Sequence, residues 1–175
     1  MEAIITTYLE EDTGEVVFSS IPSTYQNLQL RLSCHSRRSA GDSTFIRFGT
    51  GGGDPDSGSN YNFHYVTASG TSKGGAAYNN YSYIDLGDIA SMDRPASEYA
   101  LCVINIMDYA NTNKFTSIAG VTGTGSVLGS GASRIYGRTG LWENTAAVDR
   151  IRIYNYAANF ARGSTMTLYG MRSAN

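Results

Sequence analysis

The sequence predicts an all-β fold, a jelly-roll-like antiparallel β-sandwich of about nine or ten strands. Three observations predict it. Apolar and polar residues alternate with a period of two in many short segments, no window of helical length repeats near 3.6 residues, and glycine-rich turns separate the segments. The composition agrees, because the 175 residues include 20 Gly and 13 Tyr and only 16% are charged. A jelly roll is favoured because it limits exposed strand edges.

The clearest predicted strand runs from Leu28 to His35, with its apolar side chains on one face and its polar side chains on the other. Residues 100–107 are apolar at nearly every position, which predicts a central strand that is covered on both faces. Other short segments of the same kind complete the set. They are residues 16–18, 44–48, 61–66, 81–86, 114–119, 133–136, 148–156 and 164–171.

Three glycine- and serine-rich stretches, residues 49–59, 69–75 and 120–131, are predicted to be loops. They are too short and too evenly spread to be domain linkers, so residues 16–175 are predicted to form one β-sandwich domain. Residues 1–15 are predicted to form an N-terminal arm or edge segment. Its acidic residues suit an arm that reaches a neighbouring subunit, and a frayed terminus is the alternative.

The charge balance excludes one class of partner. The net charge is -2, so the chain lacks the electrostatic footprint of a nucleic-acid-binding protein, and Arg37 with Arg38 is only a small basic spot on a predicted loop. Neither a signal peptide nor an apolar span long enough for a membrane is apparent. The chain is therefore expected to be made in a cytoplasm and to stay soluble.

The residue types most often used in catalysis, cysteine and histidine, have ordinary structural interpretations in this sequence. Cys34 and Cys102 each lie in an apolar stretch and are predicted to be small buried hydrophobes. A disulfide between them stays open, because it depends on whether their strands are neighbours. His35 and His64 are predicted on the polar, exposed side of strands. A nucleophilic site needs a histidine beside a Ser or Cys and a carboxylate, and no local signature of one is present.

The carboxylates close in sequence, Asp54 with Asp56 and Asp85 with Asp88, do not match a glycosidase, whose two carboxylates come from separate elements. Residues 54–57 with Asn60 offer oxygen ligands for Ca²⁺, but the spacing differs from an EF-hand, and a solvated turn is the preferred interpretation. No catalytic residue, cofactor or metal ligand is therefore predicted.

Tyrosine is the most unusual feature of the composition. The 13 Tyr cannot all lie in one small core with hydrogen-bonded hydroxyls, so several are predicted on the surface, in contact with a protein partner or a sugar ring. The alternative is that they simply fill strand faces. The candidate contact residues are Tyr61, Tyr65, Tyr81, Tyr83, Tyr154 and Tyr156.

Four sequence segments resemble motifs of a family of structural proteins found in marine and cyanobacterial phage genomes. They occur in the family's order and span nearly the whole chain, although residues 50–56 depart from the family's short turn by a glycine insertion. The segments are FSSIPSTYQNLQLR at 18–31, FIRFG at 45–49 followed by GSNYNFHY at 58–65, IMDYANTNK at 106–114, and STMTLYGM at 164–171.

This resemblance implies a non-enzymatic virion protein, with no catalytic residues to carry over. One compact domain without coiled-coil or repeat segments favours a capsid decoration (cement) protein, expected as a homotrimer in contact with the major capsid protein. The alternative is a tail or fibre-associated module that binds a host-surface carbohydrate or receptor, using surface tyrosines and the loops 49–60 and 120–131. A hydrolase of cell-envelope polymer is the third hypothesis.

Overall fold

The computed structural model describes residues 1–93, 95–125 and 133–172, and within these ranges the chain is built from strands without a helix. The all-β prediction is confirmed. The strands are β1 (Glu2–Tyr8), β2 (Glu15–Phe18), β3 (Asn27–Cys34), β4 (Asp42–Gly49), β5 (Tyr61–Ser69), β6 (Ser72–Tyr81), β7 (Ile84–Ile89), β8 (Ala100–Met107), β9 (Thr116–Thr124), β10 (Arg134–Trp142), β11 (Arg150–Asn155) and β12 (Thr165–Met171).

Two antiparallel sheets form the predicted jelly-roll-like sandwich. The eight-stranded sheet has the order β1-β12-β3-β8-β9-β10-β5-β6, and the four-stranded sheet has the order β2-β11-β4-β7. Period-2 alternation decides which side chains meet between the sheets, as in β3, where Leu28, Leu30 and Leu32 are all buried. The largest fully buried side chains are Trp142, Tyr61, Tyr109, Phe18, Phe48 and Phe160.

Two strands were not anticipated, which is why the described residues contain more strands than the nine or ten expected. β1 lies at the edge of the eight-stranded sheet, paired only with β12, so its side chains are largely exposed and show no clear apolar period. β6 is the other edge, and it contains almost no large aliphatic residue. Both strands are held by backbone pairing to a neighbour, and hydrophobic patterning does not report that.

Two of the predicted loops include residues that belong to strands. Gly74 and Gly75 belong to β6, and Gly120 and Gly123 belong to β9, while residues 126–132 lie outside the described part of the chain. Gly120 is explained by a close approach, because a Cβ there would lie 2.2 Å from the carbonyl oxygen of Val103 on the neighbouring strand. Glycine in these segments permits tight strand packing and does not mark a turn.

The prediction that β8 is covered on both faces is wrong for the single chain. Its inward residues are buried, but on the other face Leu101 is 63% exposed, and Val103 and Met107 are also exposed. The reason is the layering: β8 lies in the middle of the eight-stranded sheet, and the four-stranded sheet covers only one face of it. A strand that is apolar on both faces therefore has one face without a protein layer.

The cysteines behave as predicted. Cys34 and Cys102 lie on the paired strands β3 and β8, both are buried in the core, and both are free thiols. Burial raises the pKa of Cys34, and it raises the pKa of Cys102 to about 12. Both side chains therefore stay as neutral core hydrophobes.

His35 was predicted to be exposed, and this is wrong, because it is only 3% exposed. Its backbone is bridged to Ala90, its amide donates to Ser164 Oγ at 3.2 Å, and its ring lies 5.8 Å from that of Tyr99. These contacts beyond the end of β3 cover a side chain that sequence alternation assigns to solvent. Among the described residues its Nε2 has no hydrogen-bond partner.

We expect His35 to make the protein acid-sensitive. Burial lowers the pKa of His35, so the folded state favours the neutral ring. The stability that it contributes is therefore present above the unfolded pKa of about 6.5 and is lost as the pH falls through the lower folded pKa. His35→Gln should flatten the fall in the free energy of unfolding between pH 7 and pH 5, measured by urea denaturation.

The exposed His64 provides the matched control for this experiment. In the single chain His64→Gln should not flatten this fall, because the His64 side chain is exposed there. An equal flattening in the two variants would contradict the assignment to His35.

Within residues 1–93, 95–125 and 133–172, no helix is both long and apolar enough to cross a bilayer.

Candidate functional site

Five of the six predicted contact tyrosines lie in one connected group of aromatic rings, which we call the tyrosine cluster. Antiparallel pairing of β5 and β6 places Phe63 opposite Tyr78, and the turn into β7 brings up Tyr81 and Tyr83. From Tyr83 the cluster continues onto the four-stranded sheet. Its members are Phe63, Tyr65, Tyr78, Tyr81, Tyr83, Phe45, Tyr154 and Tyr156.

The rings of the cluster form a continuous chain of contacts in space. Tyr78 and Tyr81 are 5.3 Å apart between centroids, and Tyr81 and Tyr83 are 5.5 Å apart, both edge to face. Tyr83 stacks on Phe45 at 4.0 Å, and Phe45 meets Tyr154 edge-on at 5.6 Å. Offset and edge-to-face pairs are the favoured aromatic geometries, so the cluster is a preorganised surface.

The exposure of the cluster differs from ring to ring. Tyr156 is 64% exposed, and Tyr65, Tyr81, Tyr83 and Tyr154 are half-buried. Burial raises the pKa of Tyr83 and of Tyr154, so both hydroxyls stay protonated at neutral pH and can donate hydrogen bonds. The Tyr154 hydroxyl has no partner among the described residues.

Tyr61, the sixth candidate, is a core residue and cannot make a surface contact, because it is 0% exposed. Its ring lies between those of Phe48 and Trp142. Its hydroxyl accepts a hydrogen bond from the Phe48 amide at 3.1 Å and donates one to the carbonyl of Asp56 at 3.0 Å. Tyr61 lies on the inward face of β5 near the start of the strand, where the second sheet covers it fully.

Beside the tyrosine cluster, the outer face of the four-stranded sheet carries a polar depression of about 580 Å³. Alternation along β11 turns Arg150 and Arg152 outward, and Arg47 on β4 stands directly opposite Arg152 in the ladder. No single stretch of sequence signals this site, because its three arginines come from two separate segments. We call it the arginine cleft, lined by Glu15, Val17, Ser19, Arg47, Asp54, Pro55, Ser57, Arg150 and Arg152.

The three guanidinium groups of the arginine cleft differ in their partners. Arg152 forms an ion pair with Glu15, and Arg47 donates its Nε–H to the Ser82 carbonyl at 2.7 Å. Both guanidinium groups also lie over the Tyr154 ring, at 4.7 and 5.1 Å from its centroid. Within the described residues Arg150 has no ion pair, and the shielded Nε atoms of Arg150 and Arg152 have no hydrogen-bond acceptor.

The opposite side of the sandwich, the outer face of the eight-stranded sheet, is apolar in its middle. Val103, Val121, Gly137 and Val66 lie in register across β8, β9, β10 and β5, and Leu101 and Ile135 flank them on the adjacent row. We call this surface the apolar strip. The large side chains in it are exposed, up to 67% for Val66. Small residues between them leave a shallow groove of about 530 Å³.

Of the four carboxylates considered as ligands or catalytic pairs, Asp56, Asp85 and Asp88 are already engaged, and Asp54 lines the arginine cleft. Asp56 accepts hydrogen bonds from Trp142 Nε1 at 2.9 Å, Asn60 Nδ2 at 2.7 Å and the Gly58 amide at 2.8 Å. Burial disfavours its charged form, but these hydrogen bonds together lower the pKa of Asp56. Asp56 therefore anchors the loop to the core, whereas a freely solvated turn was expected.

Asp85 and Asp88 are likewise committed to arginines. Asp85 forms an ion pair with the buried Arg138 at 3.2 Å, and Asp88 forms one with Arg134 at 2.7 Å. Among the described residues, no group of three or more His, Cys, Asp and Glu side chains is placed to hold a metal ion.

The segments that carry the phage-family resemblance meet one another in the fold. Tyr109 Oη donates to the Pro22 carbonyl, and the Asp108 amide donates to Asn27 Oδ1 at 2.9 Å. A Cβ on Gly170 would lie 2.4 Å from the ring of Tyr25, so this ring packs directly on the glycine. These motif residues contact one another and take part in packing the sandwich.

Neither a family model nor a curated protein matches this sequence. Among solved structures, the chain is similar to the Caenorhabditis elegans galectin LEC-6, at 10% identity and a TM-score of 0.38 over 94% of this chain and 95% of that one. Toad ovary galectin, solved with thio-digalactose, gives 9% identity and 0.28 over 82% and 99%. The CBM2 module of the evolved Dit of Lactobacillus casei BL23 phage J-1 gives 8% and 0.28 over 100% and 83%. These likenesses concern the sandwich fold alone.

Proposed function

We propose that this chain is a non-enzymatic structural protein of a bacteriophage particle, made in the host cytoplasm and seated on the capsid surface as a homotrimer. Two things support the proposal. The motif residues of the phage-family resemblance are used in packing, and the apolar strip leaves a large hydrophobic surface on an otherwise polar protein. The apolar strip carries the argument, because monomeric soluble proteins rarely expose a contiguous apolar surface of this kind.

A second copy of the chain is the occupant that fits the apolar strip best. The strip contains no charged residue, and interfaces between permanently associated copies are more hydrophobic than transient ones. The strip spans four strands spaced about 4.8 Å apart, and its five large apolar side chains would form the centre of an interface between copies. Contacts of this face around a three-fold axis would give a closed trimer.

The test changes the apolar strip in the full chain. Light scattering should give three times the chain mass for the wild type and one chain mass for the double variant Leu101→Asp/Val121→Asp, since each copy would bury two carboxylates. The folded monomer should survive, because both side chains are exposed in the single chain. Phage particles that lack the protein should take up the wild type and not the variant.

Met92 is exposed outside the apolar strip, and Met92→Asp is the control that should remain trimeric and bind particles. A wild-type protein that is monomeric at micromolar concentration, or a double variant that still forms trimers, would contradict the proposed use of the strip. Failure of the wild type to bind particles would contradict the capsid role.

A carbohydrate-binding module of the particle surface is the second candidate function. The observation that favours it is the tyrosine cluster, whose half-exposed rings suit the faces of sugar rings. Retention on a glycan array that is lost in Tyr156→Ala, the most exposed ring, would support this function. Retention of neither the wild type nor the variant would rule it out.

A further inference from the structure

We propose that the arginine cleft binds the carboxylate group of an acidic sugar, a hexuronic acid residue of a polysaccharide. This inference rests on the second candidate function and names the ligand class that the cleft would recognise. Three observations carry it: unpartnered cationic donors, a mixed charge lining, and side chains that are already held in position.

The cleft holds more cationic donors than the chain itself uses. Arg152 and Arg47 face each other across paired strands, an arrangement in which like charges repel. Glu15 neutralises Arg152, but Arg150 has no ion pair among the described residues, and two Nε–H groups shielded from solvent lack acceptors. A carboxylate in the cleft would accept charge-assisted hydrogen bonds from the outer N–H groups of these guanidinium groups, with the planar geometry that arginine favours.

The acidic residues of the lining distinguish a sugar from an acidic peptide. Glu15 and Asp54 lie in the same cleft as the arginines, and Ser19 and Ser57 add hydroxyl groups. A sugar acid offers one carboxylate and several hydroxyl donors, so it can satisfy arginine and carboxylate groups together. A run of aspartate or glutamate would be repelled by the two acidic residues.

The size and stiffness of the cleft also fit a small polar ligand. Its volume of about 580 Å³ lies within the range of small-molecule sites, and Val17 and Pro55 supply an apolar wall for the C–H faces of a sugar ring. Ser82 holds Arg47, and Glu15 with the Tyr154 ring holds Arg152. Guanidinium groups that are fixed before binding lose less entropy on contact.

Titration calorimetry on the full chain tests the inference with trigalacturonic acid, triglucuronic acid and their methyl esters, which keep the rings and remove the charges. The wild type should bind at least one acid, about tenfold or more tightly than its ester, with an affinity that falls as salt rises. Arg150→Gln should weaken binding of that acid by about tenfold or more. Among the described residues the Arg150 side chain forms no ion pair and its Nε has no hydrogen-bond acceptor, so this variant should fold normally.

Arg31 provides the matched control, because it is also a strand arginine over a tyrosine ring, 4.8 Å from the centroid of Tyr169, but lies on the other sheet. Arg31→Gln should bind the acid like the wild type.

Equal binding of acid and ester, unchanged in Arg150→Gln, would overturn the acidic-sugar inference and leave carbohydrate binding standing. Preference for a hexaglutamate peptide would overturn it in favour of an acidic protein segment. Binding of none of the probes would overturn it as well, and the glycan array then decides the carbohydrate function separately.

Discussion

Asp85→Asn should lower the free energy of unfolding by about 3–5 kcal/mol, the cost of leaving a buried charge without its partner. The side chain of Arg138 is only 2% exposed and lies between the rings of Tyr65 and Tyr136, each 4.7 Å from the guanidinium carbon. Asp85 supplies the only carboxylate that pairs with it among the described residues. Asparagine keeps the shape and can still accept the Gly87 amide, so the variant removes mainly the charge.

Two opposing effects act on the charged form of Asp85: burial disfavours it, and the ion pair with Arg138 favours it. Burial raises the pKa of Asp85, and the nearby Arg138 guanidinium offsets the rise only in part. The stability that comes from the carboxyl group itself would be fully present below its unfolded pKa and lost as the pH rises through its folded pKa. At neutral pH the ionised carboxyl is itself disfavoured by burial, so the loss expected for Asp85→Asn comes from Arg138, whose guanidinium would be left buried without a counter-charge.

Chemical denaturation of three variants would show how much of the free energy of unfolding depends on the buried ion pair. Asp85→Asn/Arg138→Met should recover most of the loss, because an apolar side chain of similar size needs no counter-charge. Lys114→Ala, which breaks the exposed pair with Asp108, should change stability by less than about 1 kcal/mol. If Asp85→Asn proved no more costly than Lys114→Ala, the buried pair would not have the role assigned to it.

Gly170→Val should destabilise the protein by about 1–3 kcal/mol or more, through overpacking against Tyr25. A Cβ at this position would lie 2.4–2.5 Å from three atoms of the ring, so either the ring or β12 has to move. Displacing the ring would also break the hydrogen bond from Tyr25 Oη to Glu2 Oε2, which ties the segment before β3 to β1. Valine prefers strands to a greater extent than glycine does, so propensity cannot account for a loss.

Gly123→Val is the matched control, because Gly123 is also a strand glycine and a Cβ there would meet only one atom, at 4.0 Å. Thermal unfolding should show a lowered midpoint for Gly170→Val and an unchanged or raised midpoint for Gly123→Val. In a Tyr25→Ala background the cost of Gly170→Val should shrink, because the space is already vacated. Equal midpoints for the two valine variants would be incompatible with the ring-on-glycine contact.

The two proposed binding surfaces lie on opposite faces of the sandwich. The apolar strip is on the outer face of the eight-stranded sheet, and the arginine cleft is on the outer face of the four-stranded sheet. Self-association through the first would leave the second open to solvent. The trimer and the acidic-sugar proposals are therefore compatible, and each has variants that leave the other surface unchanged.

Side-chain alternation along the chain determined the fold class, the core strands and the burial of the cysteines. These depend on local geometry, because successive strand residues point to opposite sides and one side must be apolar. The apolar run at residues 100–107 was recognised because it does not alternate and is apolar at nearly every position. Whether a second layer covers both of its faces depends on how many strands each sheet contains, and no local pattern encodes that number.

Only the tertiary structure decided which polar and aromatic residues meet. Tyr61 and Tyr65 lie on the same face of β5, yet one is enclosed by the second sheet and the other is half-exposed near the margin. Arg47 and Arg152 are far apart in sequence and become neighbours through the register of β4 with β11. Strand order and register arise from contacts between distant segments, so the arginine cleft has no signature in any single stretch of sequence.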